Sequence, residues 1–232
     1  GPREVHDDIR MMPGAFDRTV TTLRELIRMK RSLPNLGVVA NFTFSALNQA
    51  CWRETVDYLR HDLGVDTVNI GLVRGTTKEA RAKAVDIDLY REAQRYLVST
   101  LNRRTYFPPV LERLAVLKEV MQADNIVRIA RHDPPPAYRC LAGRVFNVIT
   151  ETGDVYPCEM LSDRIGNLRD VGMDFMKLWD SDEADRIRAY IDKRECLCSY
   201  ECAMGASIAA SFGTAARLLD VALRYKSRET CA

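Results

Sequence analysis

Residues 138–160 read YRCLAGRVFNVITETGDVYPCEM, and residues 196–202 read CLCSYEC. In the first stretch Cys140 and Cys158 bracket Glu151–Thr152–Gly153 with the spacing C-x12-G-x4-C. Val145–Thr150 and Asp154–Pro157 flank that turn, which predicts a β-hairpin. Gly153 permits a tight turn, so that both bracketing cysteines reach one side. In the second stretch Cys196, Cys198 and Cys202 follow as C-x-C-x3-C. Of the seven cysteines only Cys51 and Cys231 stand apart from this segment, so five thiols converge if the chain folds back once.

A chain of 232 residues buries a core without disulfide staples, and its clustered cysteines point to metal or redox chemistry instead. Thiolates from a hairpin and a returning loop suit the corners of an iron–sulfur cluster. Four thiolates also suit tetrahedral zinc, which makes a non-catalytic zinc-binding structural or interaction module the alternative reading. The single-residue gap between Cys196 and Cys198 is awkward around one small ion. Cys51, on the helical stretch Gln49–Leu63, reads as a core residue.

Upstream of the hairpin, Phe16, Val20, Leu23 and Ile27 recur at helical spacing, as do Trp52, Val56, Leu59 and Leu63. Leu36–Ser45 and Asp66–Val73 read as strands. Helix, strand, helix, strand over residues 16–73 predicts parallel βαβ units and an α/β fold. Residues 74–88 read as a charged loop, followed by helices at Leu89–Leu101 and Val110–Met121, the second starting after Pro108 and Pro109. Pro134, Pro135 and Pro136 form a stiff connector, which places the domain boundary between residues 133 and 134. Beyond the hairpin, Ser181 is a candidate N-cap for a helix to about Arg194, and a last helix is expected over Ala206–Tyr225.

With 47% hydrophobic and 28% charged residues the chain has the makings of a packed core, which excludes disorder. A net charge of +2 gives no basic field of the kind that marks nucleic-acid binders. No apolar run approaches the roughly 18 residues of a membrane span, and Gly1 opens no signal-peptide pattern. A cytoplasmic protein without nucleic-acid or membrane partners is the expectation.

Together with RIGNL (164–168) and LWDS (178–181), the two cysteine stretches resemble the auxiliary-cluster region of radical S-adenosylmethionine (radical SAM) enzymes, called the SPASM or twitch domain. The resemblance implies an auxiliary [4Fe–4S] cluster held by Cys140, Cys158 and Cys202, with one of Cys196 and Cys198 completing the set. Full SPASM domains carry a longer later cysteine group and two clusters. Five cysteines serve one cluster, which implies the twitch form. Glu159 falls where some peptide-modifying relatives place an acidic proton acceptor, and so becomes a candidate catalytic base.

The opening GPREVHDDIRMMPGAFD (1–17) resembles the same superfamily in Gly1-Pro2, His6-Asp7, Arg10 and Gly14–Phe16. It implies that residues 1–133 are the later part of a (β/α) barrel, ahead of a small α+β cluster domain at 134–232. By that likeness Arg10 contacts S-adenosyl-L-methionine. Asn48 and Leu72, at strand ends, line the edge where α/β sheets bind ligands and are further cofactor contacts. The C-x3-C-x2-C motif of the superfamily occurs nowhere in this chain, and the resemblance places it before Gly1. Alone, the chain is therefore expected to perform no radical chemistry. Its sheet edge is expected to self-associate or to take an upstream barrel half. A peptide or small-molecule substrate and an electron donor are the remaining partners that the likeness implies.

Overall fold

The structure is a computed structural model that describes residues 1–33, 35–99, 109–133, 139–194, 196 and 198–210. It divides into two compact units, Gly1–Leu101 and Asn102–Ala232.

In the first unit, helix α1 (Arg3–Arg10) leads into α2 (Ala15–Met29). The Asp7 carboxylate accepts hydrogen bonds from the backbone N–H groups of Gly14 and Phe16, each at 2.7 Å. A side chain from α1 thus satisfies donors that the start of α2 leaves open. Strand β1 (Val39–Phe44) alternates exposed and buried residues. After it come a 3-10 turn (Gln49–Cys51), helix α3 (Trp52–Asp57), a π turn (Tyr58–Asp62) and strand β2 (Thr67–Leu72). β1 and β2 pair in parallel, from Val39 opposite Thr67 to Phe44 opposite Leu72. This is the expected βαβ unit.

Ala40, Phe42, Phe44, Val68 and Ile70 are buried, as are Trp52 and Val56 of α3 and Tyr90, Ala93 and Leu97 of helix α4 (Ile87–Ser99). Phe44 meets the Tyr90 ring edge-on at 5.6 Å, and Gln94 donates to the Ile70 carbonyl at 2.7 Å. The alternate residues Val39, Asn41, Thr43 and Asn69 are exposed, and Asn69 Nδ2 donates to Asn41 Oδ1 at 3.0 Å. The described residues of this unit form a two-stranded parallel sheet with helices. The fold is mixed helix and strand, in keeping with the α/β class.

The second unit begins with α5 (Pro109–Ala130), which runs nine residues past the expected Met121. It packs on α8 (Glu201–Ala210), where Gly205 permits close approach: a Cβ there would stand 2.8 Å from Gln122 Oε1. This contact explains why the compact units divide between residues 101 and 102, not at the proline run. Residues 134–138 of that connector, and residues 211–225 of the expected last helix, lie outside the described residues.

The hairpin forms as predicted. Strands β3 (Val148–Ile149) and β4 (Asp154–Tyr156) pair antiparallel, and β5 (Gly166–Asn167) adds to the far side of β4. At the turn Gly153 has φ +88°, and a Cβ there would lie 3.0 Å from Asn167 Oδ1. The Asp154 carboxylate accepts from Arg164 Nη1 at 2.7 Å and from Asn167 Nδ2 and Thr152 Oγ1 at 3.0 Å each. Short helix α6 (Phe175–Trp179) precedes α7 (Asp182–Asp192), whose N-cap is Ser181, with Oγ accepting from Ala184 N at 3.2 Å. Val155, Ile165, Leu168, Leu178, Ile187 and Ile191 form the core beneath the hairpin. No described helix is long and apolar enough to cross a membrane.

Candidate metal centre

The five clustered cysteines lie in irregular chain or in the first turn of a helix. Cys140 opens the loop before the hairpin, Cys158 follows β4, Cys196 and Cys198 follow α7, and Cys202 lies in the first turn of α8. Arg188 of α7 fixes the Cys140 loop: Nε donates to the Gly143 carbonyl at 2.8 Å, while the guanidinium stacks on Trp179 at 4.6 Å. Arg139 and Arg144 flank the same loop and both pair with Asp192 at the end of α7. The loop that carries Cys140 and the end of α7 are thereby held side by side.

Cys158 is buried in the core, and Cys140, Cys196 and Cys198 pack against that core half-buried. Cys202 is exposed, and all five are free thiols. Burial, then the nearby Cys140, Cys198 and Cys158, push the Cys196 thiol up to about 11. Burial and Cys158 likewise raise Cys140, against the hydrogen-bonding partners of its sulfur, the Ala142 amide and the Ser207 side chain. Four thiols therefore share one neighbourhood, and Cys140 and Cys196 resist ionising there unless positive charge joins them. Metal binding, which displaces thiol protons, supplies that charge.

Among the described residues, no three His, Cys, Asp or Glu side chains close up as a site for a single metal ion. A cluster, with its own iron and sulfide atoms between the thiolates, takes sulfurs that stand farther apart. Neighbouring but unclosed thiols fit that larger group.

The fifth thiol is reached through Tyr200. Burial, and hydrogen bonds between its hydroxyl and the side chains of Cys202 and Glu159, raise the phenol above its ordinary value. Glu159 is itself exposed and lines an open cleft of about 460 Å³ with Cys158, Val148, Tyr156, Met160 and Ser162. Cys51 belongs to the first unit, where its Sγ donates to the Asn48 carbonyl at 3.2 Å.

The cofactor candidates of the first unit separate. Asn48 and Leu72 come to the same C-terminal edge of the parallel pair, Leu72 as the last residue of β2. Asn48 is buried: its Oδ1 accepts from Ser45 N and its Nδ2 donates to the Thr43 carbonyl, both at 2.9 Å, so its polar atoms brace the loop after β1. Arg10 is exposed at the end of α1. Sequence reasoning missed Tyr200 and Ser207. The available signals were a tyrosine within CLCSYEC and a lone serine in the apolar run Ala203–Ala210.

Residues 140–203 match the family model of SPASM, described as an iron–sulfur cluster-binding domain. Searches of curated proteins and of solved structures return no match. The matched stretch runs from Cys140 through α8's first turn and contains all five clustered thiols together with Glu159 and Tyr200.

Proposed function

We propose that the second unit binds one auxiliary [4Fe–4S] cluster through Cys140, Cys158 and two thiols of Cys196, Cys198 and Cys202. The observation that carries this reading is the set of four neighbouring thiols, Cys140, Cys158, Cys196 and Cys198, within a stretch that matches an iron–sulfur domain. When bound, the cluster supplies one-electron transfer or an anchoring point for a substrate.

The setting we propose is a radical SAM enzyme that modifies a peptide or small metabolite, with S-adenosyl-L-methionine as cofactor. Three features support it: the likeness of residues 1–17 to that superfamily, the parallel βαβ unit, and the common strand edge of Asn48 and Leu72. Arg10 is the proposed partner of the cofactor's carboxylate, by bidentate pairing. Glu159 is the proposed base, because its carboxylate lines the cleft next to Cys158 and Tyr200 holds it there. The β1–β2 pair, to which no third strand is joined among the described residues, suits added strands from an upstream barrel half.

Anaerobic reconstitution of the chain with iron and sulfide tests the reading. A brown protein whose iron depends on Cys140 and Cys158 supports it. A colourless protein holding stoichiometric zinc supports the structural-module alternative.

A further inference from the structure

We propose that Ser207 is a positioning residue for Cys140, holding its sulfur in place and donating a hydrogen bond to it once that sulfur ligates the cluster. The inference rests on the cluster reading above and concerns a residue outside the matched stretch.

Ser207 lies inside α8 between the buried apolar residues Ala203, Met204 and Ile208, and is itself 0% exposed. A hydroxyl in such a place is costly unless partnered. One partner is ordinary: Oγ donates to the Ala203 carbonyl one turn back at 2.6 Å. The others reach far along the chain. Oγ accepts from the backbone N–H of Leu141 at 2.8 Å, and the same side chain hydrogen-bonds the sulfur of Cys140. A single serine thus clasps a cysteine and its neighbour in the loop that opens the cluster segment. The Ala142 amide is a second donor to the same sulfur.

The serine has one proton to give. While Cys140 carries its own proton, the thiol donates to Oγ and the serine proton rests on the Ala203 carbonyl. That carbonyl also has the helix's own hydrogen bond, so it is not orphaned when the hydroxyl turns. Facing an anionic ligand sulfur, the hydroxyl turns and donates to it. Hydrogen bonds to cluster sulfurs raise the reduction potential, because they stabilise the more negative, reduced core.

The test is a redox titration, followed by electron paramagnetic resonance, of the full chain reconstituted anaerobically as wild type, Ser207→Ala and Ser207→Thr. Ser207→Ala is expected to reduce less readily, by about tenfold in the one-electron equilibrium or about 59 mV. Ser207→Thr, which keeps the hydroxyl, is expected to restore the potential. A merely structural serine would lower the melting temperature of Ser207→Ala and leave the potential unchanged, which overturns the proposal. Should Ser207→Ala fail to fold, the wild type alone decides. Its reduced cluster is expected to lose a proton coupling on brief transfer to D2O, since a hydroxyl exchanges far faster than the Ala142 amide, and no fast-exchanging coupling overturns the proposal. A wild type that takes up no iron overturns the cluster reading itself, and this inference with it.

Discussion

The hydroxyl of buried Tyr200 hydrogen-bonds the carboxylate of Glu159, the residue that follows Cys158, and so ties the end of the hairpin to the start of α8. The bond keeps a carboxylate at the mouth of a cleft that also reaches a core cysteine. Removing the hydroxyl in Tyr200→Phe is expected to cost about 1–2 kcal/mol. Glu159→Gln is expected to cost less once Tyr200→Phe is present, because both changes break one bond. A double-mutant cycle on thermal or urea unfolding measures that coupling, and additive losses would contradict the link.

The cysteines divide by role. Cys140→Ala and Cys158→Ala are expected to lose most of the bound iron, whereas Cys51→Ala, in the other unit, keeps it. Of Cys196, Cys198 and Cys202, one is expected to be dispensable, since a cluster takes about four thiolates. Iron and sulfide analysis of the six single variants checks the assignment and identifies the dispensable thiol.

Gly153→Ala places a side chain at φ +88° and 3.0 Å from Asn167 Oδ1. Where the backbone has positive φ an added Cβ destabilises by more than about 1 kcal/mol. The turn that brings Cys140 and Cys158 together is then weakened. A lower melting temperature with reduced iron uptake is the expected pair of results.

The hairpin also gives the protein an acid limit. Hydrogen bonds from Asn167, Arg164 and Thr152 hold the Asp154 carboxyl below its ordinary value of 3.8. A carboxyl with a depressed folded pKa binds its proton more weakly in the fold than in the unfolded chain. Its contribution is therefore whole above about pH 3.8 and is lost as pH falls through the lower folded value. Melting temperatures of wild type and Asp154→Asn are expected to converge as the solution is acidified through that range. A constant difference would contradict the assignment.

Much of this architecture was legible in the chain because its signals are local. The apolar spacing of Phe16, Val20, Leu23 and Ile27 falls within α2, and the alternation in Val68, Ile70 and Leu72 falls within β2. Ser181 caps α7 as its residue type foretold. The hairpin followed from Gly153 and the residues around it. What stayed hidden depends on contacts between distant residues. α5 falls in the same compact unit as α8 because the two pack through Gly205, a tertiary contact that no turn residue announces. β5 is two residues long, too short to carry a period. Asn48 looked available for a cofactor, yet its amide is engaged within its own loop. The electrostatic neighbours of Cys196 are Cys140, Cys198 and Cys158, and Tyr200 is a hydrogen-bond partner of Cys202, relations between residues of separate segments that no local spacing announces.

The Mössbauer spectrum of the anaerobically purified chain, from cells grown on iron-57, tests the central claim most directly. A single [4Fe–4S] signature accounting for about four irons per chain is the predicted result. Iron-free protein carrying one tightly bound zinc per chain would contradict it.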